Sequence, residues 1–98
     1  MKQHQYRITV EHLADQHGNA STYSAPLQFE TGNHDDIFAV VSRLRQRPDI
    51  DDRSATALAV GLKLFGEVML ENRQHPLFAE LLPHFGEFMK KLKKGVVA

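Results

Sequence analysis

The sequence predicts an α+β fold, in which an N-terminal two-stranded antiparallel β-hairpin is followed by three α-helices. In residues 4–13 and 22–30, apolar and polar side chains alternate, which is the period of a half-buried strand. From residue 34 onward, apolar side chains recur every three or four positions, which is the period of a helix packed on one side. The chain has 98 residues, the length of one ordinary domain. We therefore expect a single domain over residues 1–98, with the hairpin at about 4–30 and helices at about 34–47, 51–72 and 76–94.

Two alternating segments, residues 4–13 and 22–30, form the predicted hairpin. Between them, Gly18-Asn19 suits a two-residue turn, because glycine readily adopts the positive φ that such turns require. This turn places Ile8 opposite Phe29, so that the apolar residues of both strands lie on one face. A hairpin alone is only marginally stable in water, so we expect the helices that follow to cover that face.

Capping residues and prolines mark the ends of the predicted helices. Asn33 is a suitable N-cap for the first helix, and Pro48 ends it, because the residue before a proline avoids the helical region. Pro83 interrupts the apolar period of the third helix, where we expect a kink or a break. Gly95 is expected to end that helix.

The second helix is apolar over most of its circumference, which predicts a central, buried position. Lys63, Glu67 and Glu71 form the narrow polar strip that remains. Glu67 follows Phe65 by two residues, about 200° around the helix, and Phe65 belongs to a predicted core stripe. We therefore expect Glu67 to face solvent.

Composition excludes several classes of protein. There is no cysteine, which excludes disulfide scaffolds, thiolate zinc sites and cysteine nucleophiles. Twelve basic and twelve acidic side chains cancel, whereas a dedicated nucleic-acid binder needs a surplus of Lys and Arg. No signal peptide or membrane-spanning run is visible. We expect a cytoplasmic protein that binds neither membranes nor nucleic acid.

Three stretches of the chain carry a resemblance to a known family. They are Tyr6–Glu11, Asn33–Phe38 and the region from Gly61–Phe65 through Met89–Lys93. In these stretches the chain resembles the small bacterial family catalogued as domain of unknown function 3861. The resemblance implies a single-domain bacterial protein, and it carries no activity, cofactor or catalytic residue over to this chain.

The densest group of potential metal ligands or acid–base residues is His34-Asp35-Asp36. A histidine and a carboxylate could hold a divalent ion. Adjacent aspartates in the first turn of a helix, however, also satisfy free N–H groups and the helix dipole, and no further ligands stand at motif spacing. We therefore expect no metal site, no cofactor and no catalytic residue.

Excess apolar surface is the strongest indication of function. Two broadly apolar helices and a hairpin with two open edges present more apolar surface and unpaired backbone than one small monomer readily buries. Uncovered apolar patches and strand edges usually bind a partner. A symmetric dimer is the simplest such assembly, although the helices and hairpin could also cover each other. The expected interaction surface consists of Pro26, Leu64, Val68, Phe78, Leu82 and Met89.

Three functions are compatible with these observations. We favour a non-enzymatic module for protein interaction or self-assembly. The alternative is a small enzyme or ligand-binding protein with a pocket between hairpin and helices. Nucleic-acid binding through Arg43, Arg45, Arg47 and the lysine-rich last turn is disfavoured, because Arg45 does not share a helix face with the other two.

Overall fold

The structure, a computed structural model, describes residues 2–94 as two strands followed by four helices. The α+β prediction of an N-terminal hairpin followed by helices is confirmed. The predicted helix end at Gly95 lies outside the described residues. The elements are β1 His4–Val10, β2 Leu27–Asn33, α1 Ile37–Leu44, α2 Asp52–Glu71, α3 Pro76–Ala79 and α4 Leu82–Lys94.

The hairpin has the predicted register but not the predicted turn. Ile8 lies opposite Phe29 in the antiparallel ladder, as expected. The chain does not turn in two residues at Gly18-Asn19, because the next pair of bridged residues is Ala14 and Ala20. Residues 15–19 make the turn, with Gly18 at a φ of 87°. Between the Ala14–Ala20 bridge and the Val10–Leu27 pair that ends the ladder, the first strand has three residues and the second has six. The three extra residues on the second side bring the ladder back to the predicted register.

The Asp15 side chain explains the wider turn. Its Oδ1 accepts hydrogen bonds from the backbone N–H groups of His17 and Asn19, each at 2.9 Å. The Asp15 backbone N–H also donates to the Asn19 carbonyl over 2.8 Å. An aspartate that binds the backbone two residues onward forms a local turn that competes with continued strand pairing.

The first helix begins later than predicted, because Asn33 is not its N-cap. β2 extends through Asn33, and Asp36 caps α1 by accepting the Ala39 N–H at 3.3 Å. The Asn33 side chain is instead used for contacts with α2 and the β2–α1 connection. In α2, Asp51 is the N-cap and accepts the Ser54 N–H at 3.3 Å.

The core lies between the helices, with α2 at its centre. The buried hydrophobic cluster draws residues from α1, α2 and α4: Val40, Leu44, Ala55, Ala59 and Leu92. α2 also contacts the end of β2 through a hydrogen bond from Asn33 to the Lys63 carbonyl. The hairpin adds little to this core, since Asn33 is the one buried residue among those of β1 and β2.

The orientation of α2 about its axis differs from the prediction. Glu67 is buried, with 8% of its surface exposed, whereas Phe65 is 42% exposed. The expectation that Glu67 faces solvent is therefore wrong. Gly66 lies on the buried face beside Glu67, and a Cβ atom added to it would lie 3.5 Å from the Phe85 ring, an ordinary van der Waals contact with α4. Phe65 remains at the flank of the contact, edge-on to Phe85.

The predicted third helix is broken in two. α3 ends at Ala79, and α4 begins at Leu82. Pro83 lies in the first turn of α4, where the missing N–H group would have no helical partner in any case. No helix within residues 2–94 combines the length and apolar character needed to cross a membrane.

Candidate functional site

Four polar side chains form a cluster where β2 leads into α1. Glu67 Oε1 accepts two hydrogen bonds from His34, one from its backbone N–H at 2.9 Å and one from Nδ1 at 2.8 Å. On the other side of the ring, His34 Nε2 lies 3.4 Å from Asp35 Oδ2. The same Asp35 oxygen accepts a 2.7 Å hydrogen bond from Lys63 Nζ. The cluster therefore runs as a chain of contacts from Glu67 through His34 and Asp35 to Lys63.

Hydrogen bonds from the side chains of Tyr6 and Asn33 to backbone groups hold this cluster in place. The Tyr6 hydroxyl donates to the Asp35 carbonyl and accepts from the Ile37 N–H, both at 2.9 Å. The Asn33 amide donates to the Lys63 carbonyl at 2.9 Å, and its Oδ1 accepts the Asp35 N–H at 3.0 Å. One side chain from each strand thus fixes the connection between hairpin and helices.

Both carboxylates of the cluster are held in the charged form. The hydrogen bond from Lys63 lowers the pKa of Asp35 below its ordinary value and outweighs the opposing effect of burial. Burial alone would raise the pKa of Glu67, but the two hydrogen bonds from His34 outweigh it and lower that pKa. Because a carboxylate oxygen can only accept, His34 Nδ1 carries the proton in its contact with Glu67.

Two adjoining clefts open beside the cluster. The larger, of about 420 Å³, lies among α1, α2 and α4. The smaller, of about 320 Å³, lies between α2 and α4 and reaches His34 and Glu67. Asp35 and Lys63 line both clefts, so the polar cluster stands at their shared boundary. Among residues 2–94, the lining residues outside the polar cluster supply apolar surface and positive charge but no hydroxyl or thiol group.

The structure separates the three residues of the predicted metal or acid–base group. His34 and Asp35 belong to the cluster, whereas the Asp36 carboxylate caps α1 by accepting the Ala39 N–H. Within residues 2–94, no three histidine or acidic side chains come together in an arrangement that could hold a metal ion.

The residues of the predicted interaction surface fall in different environments. Pro26 immediately precedes β2 and is exposed, and Val68 on α2 is 47% exposed. The other four are partly buried: Leu64, Phe78, Leu82 and Met89. Met89 lines both clefts and Leu82 lines the smaller one.

A second apolar surface lies on the hairpin. We define the outer hairpin face as Val10, Leu27 and Phe29, which are 53%, 64% and 44% exposed. Val10 lies directly opposite Leu27, and Phe29 follows on the same face, because side chains alternate along a strand. Tyr6 lies on this same side of the hairpin, at the end where its hydroxyl contacts the β2–α1 connection, whereas Val10, Leu27 and Phe29 lie toward the other end of the strands.

Comparison with known families supports the resemblance seen in the sequence. A family model described as a domain of unknown function with a solved structure, DUF3861, matches residues 4–94. The chain belongs to this family. The polar cluster, the clefts and the outer hairpin face all fall within the residues that the DUF3861 model matches.

A solved structure is similar to this DUF3861 chain over nearly its whole length. It is the crystal structure, at 2.20 Å resolution, of a protein of unknown function from Pectobacterium atrosepticum. The two share 40% sequence identity with a TM-score of 0.80, and the match covers 95% of this chain and 99% of the other. The comparison with curated proteins finds no match.

Sequence reasoning about this DUF3861 chain missed half of the polar cluster. Lys63 and Glu67 were assigned to a solvated strip of α2, and their partners lie about 30 residues earlier in the chain. Their spacing gave one usable signal, since residues four apart share a helix face and can meet one common segment. The pairing of that face with His34 and Asp35 could not be read from the sequence.

Proposed function

We propose that this protein is an interaction module that self-associates as a symmetric dimer through the outer hairpin face. The observation that carries the proposal is the exposure of Val10, Leu27 and Phe29 on one face of an otherwise regular ladder. Contiguous exposed apolar side chains usually mark a surface that binds another molecule.

Charge supports a second copy of the chain as the partner. The outer hairpin face itself carries no charged side chain, while Arg7 and Glu30 pair at 2.8 Å on the opposite face. An uncharged apolar surface can pack against its own copy across a two-fold axis without placing like charges together. The formal net charge of the chain is zero, so two copies do not repel each other at long range.

The size of the surface predicts weak association. Each of the three side chains presents roughly 100 Å², and about 25 cal/mol per Å² gives a gross gain of about 7.5 kcal/mol per protomer. A symmetric dimer gains about twice this amount, and association itself costs about 4–15 kcal/mol. With a cost of about 10 kcal/mol, roughly 5 kcal/mol remains, which corresponds to a dissociation constant on the order of 100 μM.

Sedimentation velocity from about 10 μM to about 1 mM protein, around the dissociation constant expected above, tests the proposal. The wild type should shift from monomer toward dimer with concentration, and Leu27→Gln should remain monomeric. Leu77→Gln is the matched control, because Leu77 is 71% exposed but lies on α3. It should dimerise like the wild type. A wild type that stays monomeric throughout would refute self-association.

A second candidate interface is the helical part of the interaction surface predicted from the sequence, that is, the predicted residues other than Pro26. Val68 on α2 is 47% exposed, more than the other helical residues of that surface, which are partly buried. If Val68→Gln abolishes dimerisation while Leu27→Gln does not, the helical surface forms the interface and the outer hairpin face does not.

A further inference from the structure

The larger cleft has apolar walls formed by three helices. We call it the α1–α4 cleft. α1 contributes Val40 and Leu44, α2 contributes Leu62, and α4 contributes Met89 and Leu92. Its volume of about 420 Å³ is within the range of small-molecule sites, about 300–1,000 Å³. If a methylene group occupies about the 30 Å³ that a water molecule takes in the liquid, the cleft holds roughly a dozen heavy atoms.

The cleft is also lined by more positive than negative charge. Among residues 2–94, Arg43, Lys63 and Lys93 line it together with one acidic residue, Asp35. Lys63 forms a 2.7 Å ion pair with Asp35, so these two charges offset each other. Within residues 2–94, neither Arg43 nor Lys93 has a carboxylate oxygen within 4 Å. Two positive charges therefore remain for a ligand.

We propose that the α1–α4 cleft binds a small amphiphilic anion, namely a medium-chain aliphatic carboxylate. The hydrocarbon chain packs against the apolar walls, and the carboxylate contacts Arg43 and Lys93. Arginine and lysine both donate hydrogen bonds to a carboxylate, and these charge-assisted bonds are the stronger ones. The inference is independent of the hairpin dimer, because the cleft and the outer hairpin face share no residue.

Titration with decanoate, monitored by NMR of ¹³C-labelled methionine methyl groups, tests the proposal. Met89 lines the α1–α4 cleft and Met69 does not, so the Met89 signal should shift first. Decanol, which has the same chain length without the charge, should bind at least about tenfold more weakly. Leucine and valine methyl signals, recorded in the same titration, report any binding to the outer hairpin face.

Charge variants connect binding to the lining residues. Arg43→Gln and Lys93→Gln should each weaken decanoate binding about two- to fivefold, as expected for partly solvated charge pairs. Lys90→Gln is the matched control, because Lys90 lies on the same helix outside both clefts and should leave the affinity unchanged. Equal affinity for decanoate and decanol, or equal affinity of the Lys93 and Lys90 variants, would overturn the proposal. Shifts confined to Leu27 and Val10 would overturn it as well.

Discussion

Replacing Glu67 by alanine tests whether the His34–Glu67 contact holds the hairpin to the helices. The substitution removes two hydrogen bonds to a charged acceptor, each worth about 1.5–3 kcal/mol when intact. Two effects reduce the loss: water can reach the partly exposed His34 side chain, and a buried carboxylate no longer has to be desolvated. We expect Glu67→Ala to lower the free energy of unfolding by about 2 kcal/mol, against a total of about 5–10 kcal/mol. Glu67→Gln keeps an acceptor oxygen and should cost about 1 kcal/mol.

Urea denaturation at pH 7, followed by circular dichroism, measures these differences. Glu71→Ala is the matched control, because Glu71 lies one turn farther along α2 and is exposed. It should change stability by less than about 0.5 kcal/mol. If the Glu67 and Glu71 variants were equally stable, the buried contact would contribute nothing, and the reasoning from burial and hydrogen bonding would be refuted.

Three further predictions concern the same region and α2. Asn33→Ala should lower the free energy of unfolding by about 2–3 kcal/mol in a thermal or urea melt, because it removes two hydrogen bonds from a residue that is 1% exposed. Loss of the Asp36 cap should lower it by only about 1 kcal/mol, and equal effects of the two changes would contradict the structural role of Asn33. Gly61→Ala should stabilise the protein by up to about 1 kcal/mol, since nothing lies within 4 Å of the added Cβ, and a lower melting temperature would show a contact that is absent from the structure. Because the pKa values of Asp35 and Glu67 are lowered in the folded protein, both carboxylates stabilise the fold at pH values above their ordinary pKa, near 4, and this stability is lost as pH falls through the lower folded values. Glu67→Ala should therefore flatten a plot of the free energy of unfolding against pH below about pH 5, and an unchanged slope in this acid range would contradict the prediction.

The hairpin shows how much a short-range pattern can predict. The turn expected at Gly18-Asn19 placed Ile8 opposite Phe29, while alternation required only that the apolar residues of both strands share one face, a condition that the observed register meets. The turn was wrong because Asp15 captures backbone N–H groups, and the pattern of apolar residues contains no information about that competition. The later start of α1 has a related cause. Asn33 was expected to cap α1, the nearest helix in the sequence, but its side chain donates instead to the Lys63 carbonyl of α2.

The candidate site shows where such reasoning ends. His34 and Asp35 could be identified as a local group of ionisable residues, and both belong to the cluster. Glu67 could not, because a helical pattern assigns polar residues to solvent unless a partner is known, and that partner lies 33 positions away. Ala59 and Gly66 lie on the buried face of α2, and Gly66 faces Phe85 of α4, a contact that the apolar pattern of α2 alone does not contain.

The attachment of the hairpin has a consequence for how this chain opens. The strands reach the helices through the side chains of Tyr6 and Asn33 and through His34, while the buried apolar cluster belongs to the helices alone. Native-state proteins exchange amide hydrogens through partial openings that involve the least buried units first. The amides of β1 and β2 that are hydrogen-bonded across the ladder should therefore exchange with deuterium faster than those of α2, in one concerted step. The hairpin would then be a separate cooperative unit, able to detach and re-form while the helices stay folded.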